Sequence, residues 1–373
     1  MSQTDPFIKF EGLLDNYDQI EQVAVGGMAE IYRARQKNLD RPVAIKRIKP
    51  EIRSHKQIQE RFRREARFSA NMLHQNLAHV YDYREADPEF FLVMEYIDGF
   101  DLSEVIEKSG NIPFDVAAMI AVSVLRGLDH VHSHAMVHRD IKPDNIRISL
   151  RGEVKIMDFG IAFDPGEEQL TKPGLLIGSP HYLAPEQIVG ERPNAASDIF
   201  SFGVTFYEML TGERPFVEKE GMSVYQRIQK GVYTDIGQLR TDIPSFAMKI
   251  IRKCLQVDHQ SRPKSAIRIA NALEEYLSKY HTLNFNLRIK QFLMEKKLIQ
   301  GNPNLIEIHD TSISNISVKK NNLSELQNDY QNISDEDKYY SKNKSQMISN
   351  ILKVSLILLA LVLCYFVVQK IKT

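Results

Sequence analysis

Two short stretches, VHRDIKPDN (137–145) and VKIMDFG (154–160), carry residue types that suit a bound metal and a hydroxyl. Between them lie two apolar runs, IRI and VKIM, joined by SLRGE with Gly152 in the turn, so a β-hairpin is expected. Asn145 then stands just before the first strand and Asp158 just after the second, side by side at one end. A carboxylate and an amide oxygen so placed suit Mg²⁺, which takes oxygen ligands and shares its shell with phosphates. Asp140 lies on the loop leading in, placed to orient a hydroxyl and accept its proton.

A second candidate for phosphate is the loop VAVGGMAEIY (23–32). Only Gly26 and Gly27 are glycine there, while Ala24 and Ala29 stand at the outer places of a G-x-G-x-x-G pattern. Glycine is required only where φ is positive or where a β-carbon would keep the backbone from its ligand. The loop therefore functions if Ala24 lies in ordinary strand geometry.

The elements that must position these residues are legible around them. Residues 17 to about 100 read as short strands interrupted by one charged helix. RPVAIKRIK alternates, with Ala44, Lys46 and Ile48 on one face and Val43, Ile45 and Arg47 on the other. Residues 55–73 are helical by periodicity, and Ile58, Phe62, Glu65, Ser69 and Met72 fall on one stripe. Glu65 is thus a carboxylate on a largely apolar face and needs a cation. From about 100 to 282 the periodicity is mostly helical, and the almost wholly apolar DIFSFGVTFYEML, stopping at Thr211-Gly212, reads as a buried helix.

In order along the chain, VAIK, HRDIKPDN, DFG, APE and SDIFSFG resemble a bacterial eukaryotic-like Ser/Thr protein kinase of the membrane-anchored type, over roughly residues 17–282. The resemblance implies an α+β, bilobal protein kinase-like fold, with a β-rich N-lobe, a helical C-lobe and a C-terminal transmembrane helix. It implies ATP, Mg²⁺ (Mn²⁺ being possible) and protein substrates. By it Lys46 holds the α- and β-phosphates and pairs with Glu65, Asp140 is the base, Lys142 contacts the γ-phosphate, and Asn145 and Asp158 bind metal. Val25, Gly26, Gly27, Ile31 and Ala44 surround the nucleotide, Met94 takes the gatekeeper position, and Glu95 and Ile97 offer backbone groups to adenine. Glu186 is expected to pair with Arg262, and Asp198 to brace the catalytic loop. Lys142, two residues after the base, resembles the Ser/Thr branch and not the tyrosine branch. Thr171 is the expected activating phosphosite, facing a cationic pocket of Arg139 and Lys155. A pseudokinase scaffold at the membrane, motivated by Ala24 and Ala29, is the alternative. A small-molecule phosphotransferase is disfavoured by the long stretch between Asp158 and Glu186. His130, His132 and His134 look like a metal cluster but read as a structural helix end.

Composition bounds the rest. Formal net charge is +0, with 48 basic and 48 acidic residues, which argues against a generic nucleic-acid binder. Two cysteines without CxxC spacing, Cys254 and Cys364, argue against a disulfide framework or thiolate zinc site and fit a cytosolic catalytic part. The N-terminus has no secretory signature. Four segments are expected: an extension at 1–16, the kinase domain at 17–282, a polar linker at 283–346 with a helix at 283–300, and a transmembrane tail anchor at 347–371. Extending the apolar run to residues 351–371 reaches about 31 Å, enough to span a bilayer, with lysines mostly preceding it. A single-pass cell-membrane protein with a cytoplasmic kinase is expected, and the sequence leaves a homodimer open.

Overall fold

Alternating strands build the first lobe. In the computed structural model, which describes residues 14–27, 29–52, 56–86, 89–158, 179–280 and 284–301, β1 (Tyr17–Val25), β2 (Ala29–Gln36), β3 (Arg41–Ile48), β4 (Val80–Ala86) and β5 (Glu89–Glu95) form an antiparallel sheet in the order β1-β2-β3-β5-β4. The period of two in β3 splits its side chains between two small cores. Val43 and Ile45 pack with Tyr17, Tyr32, Phe91 and Val93 on one face, and Ala44 and Ile48 with Phe62, Leu92 and Met94 on the other. Lys46 shares the second face, and α1 (Lys56–Ser69) covers that face with Phe62 and Ala66. The described part of α1 therefore matches the expected stripe, although the Glu65 side chain lies outside the described residues.

Beyond the short linking segment 96–98 come β6 (Gly99–Asp101), α2 (Leu102–Ser109) and α3 (Phe114–Ser133), then β7 (Ile146–Ser149) and β8 (Val154–Ile156), the expected hairpin. These three strands form a small sheet in the order β6-β7-β8. The lobe continues with α4 (Pro185–Ile188), α5 (Ala195–Thr211), α6 (Val224–Lys230), α7 (Ile236–Leu239), α8 (Ser245–Cys254), α9 (Ala266–Tyr280) and α10 (Phe285–Glu295). α5 is the buried central helix. Asn194 caps it by accepting from the Ala196 N–H at 2.8 Å, and it stops at Gly212, which has φ 78. A side chain at Gly212 would also press on the Gly110 carbonyl, 2.5 Å from the β-carbon position.

One continuous core fills this lobe, from Leu102 and the α3 residues Val116–Leu128 through Phe200, Phe202 and Phe206 to Ile251 and Leu273. α10 joins it by burying Ile289, Phe292 and Leu293 completely, and Arg288 pairs with Asp115 of α3 at 2.8 Å. Among the described residues no helix is long and apolar enough to cross a membrane. The expected linker beyond 301, the anchor at 347–371, Thr171 and the expected extension up to residue 13 lie outside the described residues.

Candidate active site

The loop between α3 and β7 is fixed on both sides of Asp140, because His138 and Ile141 are fully buried. Asp140 Oδ2 accepts from Lys142 Nζ and from Asn145 Nδ2, each at 2.7 Å. Asn145 Nδ2 donates as well to the Asp140 carbonyl at 2.8 Å. With its nitrogen so committed, Asn145 keeps its amide oxygen as an acceptor for something else. Oδ1 of Asp140 accepts from none of the described residues. The Met157 N–H donates to the Asn145 carbonyl at 2.8 Å, so Asp158 emerges beside Asn145 as the hairpin argument required.

Lys46, held at the centre of the five-stranded sheet, reaches down to this cluster and places Nζ 3.0 Å from Asp158 Oδ1. Asp158 itself is in the left-handed region, φ 34, a conformation disfavoured for a residue with a β-carbon. The expected Lys46–Glu65 pair falls on a side chain outside the described residues. A carboxylate and an amide oxygen are hard donors, and Asp158 and Asn145 fit Mg²⁺ or Mn²⁺ if phosphate and water complete the shell. Among the described residues no group of three or more His, Cys, Asp or Glu side chains fits a metal. His130 stacks on His74 with ring centroids 5.1 Å apart and tilts against His134 at 4.6 Å.

The glycine loop is the β1–β2 turn. Gly26 N–H donates to the Ala29 carbonyl at 2.8 Å. Ala24 pairs with Ile31 across the strands without positive φ, so its methyl is accommodated in ordinary strand geometry. Neither Gly26 nor Gly27 has positive φ. What Gly26 supplies is closeness: a β-carbon there would stand 3.3 Å from the Ala29 carbonyl oxygen, whereas Gly27 faces open space. Val25 is exposed at the end of β1. Ile31 and Ala44 pack in one cluster with Met94 and with Met157, an apolar wall member that the sequence reading passed over.

At the linking segment the structure narrows which backbone groups of Glu95 and Ile97 face adenine. The Glu95 N–H donates to the His79 carbonyl at 2.8 Å, and the Ile97 carbonyl accepts from Arg147 Nε at 2.7 Å. Those two groups are spent on the fold, so the Glu95 carbonyl and the Ile97 N–H are the remaining candidates for adenine. The expectation for Lys155 is corrected. It is buried and donates to Glu95 Oε2 at 2.7 Å, so it belongs behind the linking segment and forms no pocket with Arg139.

Deeper contacts hold the loop in place. Asp198, at the start of α5, accepts at 2.8 Å from the His138 N–H, the Arg139 N–H and His132 Nε2. Arg139 has φ 74, so this carboxylate stabilises a backbone turn that the chain would otherwise avoid. Burial pushes the His138 imidazole below its ordinary value despite the nearby Asp198 and Asp140. The neutral ring donates from Nε2 to the Met157 carbonyl at 3.1 Å and accepts the Asp140 N–H on Nδ1 at 3.4 Å. Glu186 and Arg262 form the expected pair at 2.8 Å through both oxygens. Burial raises the Glu186 carboxyl, but Arg262 and Ser197 outweigh it and hold it below the usual carboxylate range.

The protein kinase domain family matches residues 17–276. The chain belongs to that family. It is 33% identical to a probable serine/threonine-protein kinase of Clostridium perfringens, over 70% of this chain and 38% of that protein. It is also 33% identical to the tyrosine-protein kinase MasK of Myxococcus xanthus, over 71% of this chain and 43% of that protein. A crystal structure of Rad53 1–466 in complex with AMP-PNP superposes with TM-score 0.58 at 27% identity, over 69% of this chain and 64% of that one. The chain spans about two fifths of the length of these curated relatives, and the fold is the bilobal one of the family.

Proposed function

We propose that the chain is an ATP-dependent protein kinase that transfers the γ-phosphoryl group to Ser and Thr hydroxyls. The observation that carries this reading is the arrangement of Asp140. Lys142 and Asn145 hold one carboxylate oxygen and leave the other to accept a hydroxyl proton. Lys46 supplies a cation for phosphate oxygens beside Asp158. Asp158 and Asn145 would hold the divalent ion, which when bound neutralises charge on the phosphates. As the substrate hydroxyl oxygen bonds to the γ-phosphorus, its proton passes to Asp140 and the bond to the β-phosphate oxygen breaks. Lys142, already 2.7 Å from Asp140, would contact the transferring group. The pseudokinase alternative is not favoured, because Lys46, Asp140, Asn145 and Asp158 are all present and brought together, and Ala24 still pairs with Ile31 without positive φ. Phosphotransfer from Mg-ATP to a basic protein, followed by phosphoamino-acid analysis, tests the reading. No transfer with any divalent metal refutes it, and phosphotyrosine alone refutes the Ser/Thr assignment.

Autophosphorylation within 159–178, with Thr171 as first candidate, belongs to the same reading and is checked by peptide mapping of the active enzyme. Residues 347–371 are proposed to anchor the chain in a membrane with the kinase in the cytosol, supported by the apolar length and the preceding lysines. Extraction of the full chain by carbonate would refute that anchor.

A further inference from the structure

Among the described residues, buried guanidinium groups are otherwise well supplied with acceptors. Arg262, 2% exposed, donates to both Glu186 oxygens and to the carbonyls of Ala196, Gln256 and Val257. Arg227 of α6 is nearly as buried, at 5%, yet its Nε and Nη1 have no hydrogen-bond partner among the described residues. Gln187 of α4 is 4% exposed. Its Oε1 accepts from the Ala184 N–H at 2.9 Å, and its Nε2 likewise has no partner. α4 packs against α6, and α6 also packs on the turn Pro180–Tyr182. Two elements in contact thus carry three buried N–H-bearing atoms and a positive charge without an acceptor.

A water molecule accepts two hydrogen bonds and brings no charge, so it leaves the guanidinium uncompensated. An oxyanion supplies both the lone pairs and the charge. We propose that the α4–α6 junction is a binding site for a compact oxyanion, a carboxylate or a phosphate monoester, held by Arg227 and Gln187. The junction is linked to the catalytic loop through the adjoining turn. Tyr182, in the adjoining turn, donates to Glu208 at 2.6 Å, and Glu208 is near enough to Asp144 of the catalytic loop for their charges to interact. The anion is therefore either free or carried on a side chain of the protein being phosphorylated. The second source rests on the kinase reading, while the first does not.

Thermal unfolding of the full chain against inorganic phosphate, with chloride at matched ionic strength as control, tests the site without reference to activity. Phosphate should stabilise the wild type and bind Arg227→Gln about tenfold more weakly, the loss of one charge-assisted hydrogen bond. Gln187→Leu, which removes the Nε2 donor and the Oε1 cap on the Ala184 N–H but no charge, carries the same comparison if Arg227→Gln does not fold. Phosphorylation of paired peptides, one with a glutamate or phosphoserine beside the acceptor and one with alanine, separates the sources. A preference for the acidic peptide that Arg227→Gln abolishes assigns the anion to the substrate. A phosphate effect without that preference assigns a free anion. Equal phosphate response in wild type and variants, or none in the wild type, overturns the site.

Discussion

Replacing Asp198 by Asn keeps the volume and removes the charge at the point where α5 meets the catalytic loop. Asp198 is 1% exposed and accepts on Oδ2 from the His138 N–H and His132 and on Oδ1 from the Arg139 N–H. The amide can place its oxygen on one side only, so its NH₂ group faces a backbone donor on the other. One hydrogen bond to a charged group is lost, about 1.5–3 kcal/mol, and a buried donor is left unpaired. The positive φ of Arg139 is then no longer held, which releases about 1 kcal/mol of strain by moving the residue next to the base. The lost bond and the unpaired donor, at about 2 kcal/mol each, less that released strain leave a net cost of about 3 kcal/mol, or about 6–12 °C in Tm for a domain of this size. If all of it appears as misplacement of Asp140, kcat falls about 100-fold. Thermal unfolding and initial rates at saturating ATP read the two effects separately. A variant with wild-type Tm and wild-type kcat would show that Asp198 merely caps α5.

Asp140→Asn should lower kcat by about 10²–10⁴ with the KM for ATP nearly unchanged, because a proton acceptor is lost and no phosphate contact is; initial-rate kinetics decide it. Lys155→Met leaves the Glu95 carboxylate partly buried without its cation and with the His79 N–H, at 3.2 Å, as its donor, at about 1–3 kcal/mol, and should raise the KM for ATP more than it lowers kcat; adding Glu95→Gln should restore part of both. His138 has a folded-state pKa below its unfolded value of about 6.5, so the unfolded chain takes up the proton first. Its contribution is complete above about 6.5 and is lost as the pH falls below it; unfolding followed from pH 8 to 5 should show this decline, and His138→Phe should flatten it. A chain ended at 282 exposes the surface covered by Ile289, Phe292 and Leu293 and forfeits about 5 kcal/mol of gross burial relative to one ended at 301, read as a lower denaturation midpoint.

Where a residue's environment is set by its own strand or hairpin, the sequence was enough. The alternation of RPVAIKRIK put Ala44 and Ile48 against one core and Val43 and Ile45 against the other, and the hairpin brought Asn145 to Asp158. Where the environment comes from a distant element, periodicity gave a face and no partner. Lys155 follows the strand period, yet its carboxylate lies on Glu95, in another sheet. The Ile97 carbonyl is taken by Arg147, whose other nitrogens bind Asp101 and the Gly99 carbonyl. Arg227 sits in VYQRIQK, outside every motif of the sequence. Its burial comes from α4 and the turn before it, and no local signal announces that. The glycine loop shows the reverse case: the motif misses two glycines, but a strand pairing at Ala24 supplies the geometry that the missing glycine would have permitted.

The chain passes between the lobes twice, and both passages are fastened. Leaving α1 it drops Met72 and Leu77 into the large core, and residues 76–78 bond to β8 through Asn76 and Ala78 before β4 begins. The second passage, 95–101, is pinned to β7 and β8 by Arg147 and Lys155. A body held at one point can swing and twist, whereas a body held at two can turn only about the line that joins them. The small lobe is therefore mounted like a door on two pins. Opening and closing over the nucleotide is its soft motion, and sideways torsion, which would carry Lys46 off Asp158, is its stiff one.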